Sequence, residues 1–142
     1  MSTVYLALGS NLGNRLHYIQ KAVAELKACG LKVAKLSTVI ETDPVGGIPQ
    51  GKYLNAVLKA STVHSPEELH VITQTIERKL GRVKTTINAP RVIDIDILLY
   101  DDIKLITPRL LIPHPRMFER DFVMGPLKEI ASEFRATQHN PN

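Results

Sequence analysis

The chain has 142 residues and a mass of 15.8 kDa, is 44% hydrophobic and 23% charged, and so amounts to one globular domain with a core that needs no staple. A lone cysteine, Cys29, excludes an internal disulfide framework and a Cys-rich zinc site, and the apolar start at 1–8 is too short for a signal peptide or a membrane span. Eighteen Lys and Arg against fourteen Asp and Glu leave a net +4, which favours an anionic ligand but is too mild for a dedicated nucleic-acid binder. A single soluble, cytoplasmic domain over 1–142 is expected.

Residues 4–8 form a β-favouring run closed by Gly9-Ser10-Asn11-Leu12-Gly13-Asn14. Leu16, Ile19, Val23 and Leu26 then recur at helical spacing up to Gly30, which predicts a helix over 15–29. A strand follows over 31–42, and two prolines with three glycines make 43–52 a loop. Residues 53–62 alternate, with Leu54, Ala56, Leu58 and Ala60 on one face and Tyr53, Asn55, Val57 and Lys59 on the other.

Ser65-Pro66-Glu67-Glu68 is a capping box with proline at the first helical position. The helix behind it stripes Leu69, Ile72, Ile76 and Leu80 and ends at Gly81, leaving Gln74, Glu77 and Arg78 off the stripe. No periodicity marks 82–90, read as a loop. The clearest strand runs over 91–100, with Ile93, Ile95, Ile97 and Leu99 assigned to one face. A turn at Asp101-Asp102, a short strand, a Pro-rich crossing over 108–115 and a helix over 122–134 complete the chain.

This order is the β-α-β-β-α-β order of an α+β, ferredoxin-like core: a mainly antiparallel sheet with helices on one face and a short C-terminal strand and helix extension. Binding groups would then occupy the open sheet face and the loops.

Asp94 and Asp96 are the sharpest chemical feature. Two residues apart on a strand, they point the same way with Cα atoms about 6.5–7 Å apart, while the isoleucines fill the other face. Such a pair can hold Mg²⁺ ions that keep their waters and take phosphate oxygens, or it can be the acidic face of a half-solvated strand. Arg91 at the strand's frayed start, Arg82 and Lys84 before it, and Arg109, Arg116 and Arg120 after it supply the cations that phosphoryl transfer needs; salt bridging at the surface is the competing reading. From Arg78 to Arg120 nine Lys and Arg face five Asp and Glu, and six of the eight arginines lie there. The basicity belongs to one segment.

No P-loop occurs, and the Gly9–Gly13 stretch reads as a structural turn rather than an anion site. The histidines lack zinc spacing; His114, fixed between two prolines, either meets a phosphate or orders its loop. Tyr53 and Asn55 share a strand face, where a ring and an amide can hold a flat heterocycle with Phe122 as a second ring, or simply pack. An RNA-binding sheet module is disfavoured by three Phe, four Tyr and no Trp.

The stretches Leu8-Gly9-Ser10-Asn11-Leu12-Gly13-Asn14, Glu41-Thr42-Asp43-Pro44-Val45-Gly46, Tyr53-Leu54-Asn55-Ala56-Val57, Gly81-Arg82-Val83, Pro90-Arg91-Val92-Ile93-Asp94-Ile95-Asp96-Ile97-Leu98, Ile112-Pro113-His114-Pro115-Arg116-Met117 and Arg120-Asp121-Phe122-Val123 occur in an order and spacing that resembles the 6-hydroxymethyl-7,8-dihydropterin pyrophosphokinase family of folate biosynthesis. The resemblance implies transfer of the β,γ-pyrophosphate of ATP to the hydroxymethyl group of the dihydropterin, with AMP released. It implies that Asp94 and Asp96 hold two Mg²⁺ ions and that Arg82 and Arg91 are the catalytic arginines. It implies an ATP site from Gln74, Glu77, Lys84, Arg91, Ile97, Arg109, His114 and Arg120, and a pterin pocket from Thr42, Val45, Tyr53, Asn55 and Phe122. The expected partners are these two small-molecule substrates, with no nucleic acid, membrane or obligate protein. The segments near Gly13, at 46–52 and at 82–90 would close over substrates.

Overall fold

A computed structural model describes residues 1–44, 50–82 and 90–131 of the chain. The central strand, β1 (Ser2–Ser10), buries Val4, Leu6 and Leu8 on one face. Helix α1 (Arg15–Ala28) begins behind Asn14, whose side-chain oxygen accepts the His17 N–H at 3.2 Å, and stops where Gly30 adopts φ +95°. It lays Ile19, Ala22 and Leu26 against that face.

The single strand predicted over 31–42 is two, β2 (Lys32–Leu36) and β3 (Ile40–Thr42). Ser37 makes the break. Its hydroxyl accepts the Val57 N–H at 2.8 Å while its own N–H donates to the Val57 carbonyl at 2.9 Å, so a side chain replaces a rung of the ladder. The next residue, Thr38, turns its N–H and hydroxyl to the Glu129 carboxylate at 3.0–3.1 Å. Strand β4 (Tyr53–Thr62) pairs with both pieces along one edge and with β1 along the other.

Helix α2 (Pro66–Lys79) carries the expected cap: Ser65 Oγ accepts the Glu68 N–H at 3.1 Å, and Glu68 returns an acceptor to the Ser65 N–H at 2.8 Å. The bond from the Ser65 N–H first, and then one from the Ser65 side chain, favours the ionised form and holds the Glu68 carboxyl below its ordinary range. Ser65→Ala is expected to lower stability by about 1 kcal/mol, read as a fall in urea midpoint at unchanged slope.

Strand β5 (Asp94–Tyr100) starts three residues later than predicted. A bulge interrupts it: Tyr5 of β1 pairs with Leu99 and Leu6 pairs with Ile97, which leaves Leu98 without a partner. The extra residue reverses the alternation. Leu99, assigned above to the isoleucine face, packs instead with Leu98 on the opposite side, and Tyr100 takes the isoleucine side. A small hairpin of β6 (Leu105–Ile106) and β7 (Leu111–Ile112) and helix α3 (Asp121–Ile130) follow. The 122–134 helix expected above matches α3 up to Ile130; its last three residues lie outside the described segments.

The sheet is antiparallel throughout, in the order β5, β1, β4, then β2 and β3 on the outer edge. Helices α1 and α2 bury the face of Leu6, Leu8, Leu58, Ile95 and Ile97. The expectation of helices on one face only is corrected by α3, whose Val123, Met124, Leu127 and Ile130 cover Tyr5, Val57 and Leu98 on the other. That half of the second face is apolar and, uncovered, would leave large side chains in water. The cover ends at Val57. Beyond it, towards Asn55, Gly9 and Asp94, the sheet face stays open.

Candidate active site

The open face is built by strand register. On β1 the site-facing residues are Ala7 and Gly9; Gly9 pairs with Asn55 of β4 on one side and Asp94 of β5 on the other, and Ala7 pairs with Val57 and Asp96. Asn55 and Asp94 therefore stand in one row with only a glycine between them, about 9.5 Å apart at Cα. The glycine is required for space: a Cβ at Gly9 would lie 3.1 Å from Asn55 Oδ1 and 3.5 Å from the Tyr53 ring. Small residues on the central strand thus leave a trough between an amide and a carboxylate.

One pocket gathers Gly9, Thr42, Tyr53, Asn55, Arg91, Asp94, Asp96, Arg120 and Phe122. Asn55, 7% exposed, donates to Thr42 Oγ1 at 2.6 Å, which fixes the amide that faces the pocket. Burial pushes the Tyr53 phenol above its ordinary value, so it remains a neutral hydroxyl on a ring. Arg120 from the start of α3 lies over the Phe122 ring, 5.6 Å from its centroid. Four of the five residues assigned to a pterin pocket meet here; Val45 lies outside the described residues.

The charges form one connected group. Arg82 reaches Glu77 Oε1 at 2.7 Å and Asp94 Oδ1 at 3.2 Å, and Arg91 reaches Asp94 Oδ2 at 3.2 Å. Arg91 lies outside the strand, so its guanidinium turns to the aspartate side as a frayed end allows. Glu77 is 7% exposed and its second oxygen accepts the Ile95 N–H at 2.7 Å, between the two aspartates. Among the described contacts, its carboxylate is occupied by Arg82 and the strand backbone. Burial raises the Glu77 carboxyl, against the pull of those partners. Asp96 keeps one edge open to the pocket but is otherwise enclosed, and burial with the Asp94 and Glu77 charges pushes its carboxyl up to about 7.

Three carboxylates against the two bridging guanidiniums leave a negative excess that fits a divalent cation. Asp94 and Asp96 are both oxygen donors, they face the same way, and their mutual repulsion is what a cation would relieve. Among the described residues no cluster of three or more metal-ligating side chains occurs, so most donors would come from phosphate and water.

A second hollow lies on the far side of Asp96, lined by His70, Ile97, Arg109, Leu111, His114 and Pro115. Asp96 is the wall common to both hollows. Burial, then the Arg120 charge, lowers the His114 pKa, and its Nδ1 accepts the Arg116 N–H at 3.3 Å, which leaves the Nε2 hydrogen pointing elsewhere. Ile97, Arg109 and His114 meet here. Gln74 is exposed and lines neither hollow, and Lys84 lies outside the described residues. Sequence reasoning missed His70, one helical turn before Gln74, and Asn11, read only as part of a turn; its neighbourhood of Gly, Ser and Gly masks a side chain with three partners.

A sequence model of the family described as 7,8-dihydro-6-hydroxymethylpterin-pyrophosphokinase (HPPK) matches residues 5–132. The chain belongs to the HPPK family. It is 45% identical over 130 residues to the 2-amino-4-hydroxy-6-hydroxymethyldihydropteridine pyrophosphokinase of Bacillus subtilis, covering 91% of this chain and 78% of that one. It is 47% identical over 130 residues to the protein of the same name from Aquifex aeolicus, covering 92% and 81%. The wild-type HPPK-DHPS of Plasmodium falciparum shares the fold at a TM-score of 0.66 with 16% identity; the match takes in 92% of this chain and 40% of that longer one. The chain therefore spans 40% of that structure and most of the two bacterial relatives.

Proposed function

We propose that this HPPK-family chain transfers the β,γ-pyrophosphate of ATP to the hydroxymethyl group of 6-hydroxymethyl-7,8-dihydropterin, giving the pterin diphosphate and AMP in folate biosynthesis, and that 1–142 acts as one domain in the cytoplasm. No helix among the described residues is long and apolar enough to cross a membrane. The observation that carries the reading is the row of Asn55, Gly9 and Asp94: a heterocycle-binding amide and a cation-binding carboxylate across a trough floored by glycine.

The strand order β5-β1-β4-β2/β3 with antiparallel neighbours fits a ferredoxin-like core with α3 added on the second face. In that frame Tyr53 and Phe122 stack on the pterin ring while Asn55, held by Thr42, pairs with its edge. The ATP base and ribose enter the hollow beside Ile97 and His114, and the triphosphate passes Asp96 towards the trough. Asp94 and Asp96 would hold two Mg²⁺ ions, which neutralise and orient the phosphate oxygens.

Arg82 and Arg91 already lie on Asp94. On substrate binding they exchange that carboxylate for phosphate oxygens, where charge develops as the pterin hydroxyl attacks the β-phosphorus in line and AMP leaves. Arg120, which lines the first pocket with Asp96, would follow the same charge. No side chain is assigned as general base. With ATP, Mg²⁺ and the hydroxymethyl dihydropterin, the expected products are AMP and pterin diphosphate by chromatography; ADP, or no turnover, overturns the proposal.

A further inference from the structure

Asn11 follows β1 and is 6% exposed. Its backbone N–H donates to the Arg91 carbonyl at 3.0 Å, and its side-chain Oδ1 accepts the Arg91 N–H at 2.8 Å. One residue thus grips both backbone groups of Arg91. On the other end of the amide, Nδ2 donates to Gln50 Oε1 and to the Gly51 carbonyl at 3.2 Å. A backbone N–H needs an oxygen and a backbone carbonyl needs a donor, so these two partners fix which end of the amide faces which loop.

The 50–52 segment leads directly into Tyr53 and Asn55, and Arg91 pairs with Asp94. Arg15 holds the same segment from outside, donating to the Lys52 carbonyl at 2.8 Å while pairing with Glu41. Asn11 is the described residue that touches both the approach to the heterocycle-binding strand and the phosphate-facing arginine.

We infer that Asn11 is a positioning residue whose amide, bonded at one end to Gln50 and Gly51 and at the other to Arg91, couples the seating of the pterin to the placement of Arg91. The inference rests on the pyrophosphoryl-transfer reading above. Each end of the amide serves a different substrate, so the two ends separate genetically. Asn11→Asp keeps an oxygen for the Arg91 N–H but sets a carboxylate oxygen against the Gly51 carbonyl, loosening only the pterin side. Asn11→Ala removes both.

The test is steady-state kinetics of the full chain with Mg·ATP and 6-hydroxymethyl-7,8-dihydropterin, with thermal unfolding confirming that each variant is folded. Asn11→Asp is expected to raise the pterin KM about tenfold with kcat within about threefold of wild type and the ATP KM unchanged; a tenfold change corresponds to about 1.4 kcal/mol. Asn11→Ala is expected to add a further tenfold or greater loss in kcat. Calorimetric titration of the pterin should show its affinity enhanced by a nonhydrolysable ATP analogue in wild type and much less enhanced in Asn11→Asp. Wild-type constants in Asn11→Asp, or the same proportional loss in both variants, overturn the coupling role. Failure of the wild-type chain to turn over overturns the functional reading instead, so the two failures are distinct. Should Asn11→Ala not fold, the KM-against-kcat split in Asn11→Asp decides alone.

Discussion

Asp96→Asn is expected to cut turnover about a thousandfold and, at pH 8 without metal or nucleotide, to give a protein that unfolds at a higher temperature than wild type. The two effects have one cause. Asp96 is enclosed beside Asp94 and Glu77, and its carboxyl is held up to about 7. An unfolded chain releases that proton near pH 4, so the fold keeps a proton that the unfolded state has lost. The stability attached to the neutral acid is fully present below about pH 4, falls as pH rises towards 7, and is gone above 7. An amide there is neutral at every pH, so the gain should reach about 1–2 kcal/mol at pH 8 and vanish at pH 4, measured by urea unfolding in EDTA. In the metal-holding role proposed for Asp96, the same substitution would remove a charged oxygen ligand, a loss of several kcal/mol of transition-state stabilisation, or about a thousandfold in rate. Added Mg²⁺·ATP should stabilise wild type and not the variant. Wild-type turnover in the variant, or no gain at pH 8, would contradict this account.

Arg82→Ala should fail in the opposite thermodynamic direction. In the ligand-free protein Arg82 bridges Glu77 and Asp94 at 2.7 and 3.2 Å, and its removal leaves two carboxylates facing each other. Glu77 is enclosed, but Asp94 and the arginine are each about one-quarter exposed, so the stability loss is discounted to about 1 kcal/mol. In turnover the lost clamp on the transferring phosphoryl group costs about 2.7–4 kcal/mol, a hundred- to thousandfold fall in kcat under single-turnover conditions. Arg82→Lys restores the charge without the fork and should recover the stability and only part of the rate. An unchanged single-turnover rate in Arg82→Ala would remove this arginine from the chemistry.

What the sequence made legible is whatever obeys a local rule. The Ser65 box, the glycine at position 30 and the face shared by Asp94 and Asp96 follow from helix caps and from a period of two. Leu99 was misplaced because a bulge is a pairing event between two strands, and nothing in the Ile-Asp-Ile-Asp-Ile alternation announces it. The division of 31–42 into two strands hung on Ser37 bonding to Val57, twenty residues away. Placement of α3 on the second face was likewise hidden, since an amphipathic pattern says that a helix is covered but not by which side of a sheet.

Within the site the same division holds. The aspartates, Tyr53, Asn55 and the arginines were readable as residue types in a pattern. Glu77 entered only through the family resemblance, because its place off the apolar stripe of a helix gives no sign of burial, and only the approach of β5 buries it against Arg82 and Ile95. Gly9 and Ala7 were missed for the converse reason: their contribution is the volume they do not fill.

That empty volume sets a direction for the chain's evolution. At Gly9 even one methyl would crowd the Asn55 amide at 3.1 Å, but at Ala7 a larger side chain could reach into the trough, so selection for thermal endurance alone would tend to fill it from there. Selection for substrate keeps it vacant. Variation at these two central-strand positions should therefore separate lineages that still handle a flat heterocycle from lineages that have kept only the scaffold.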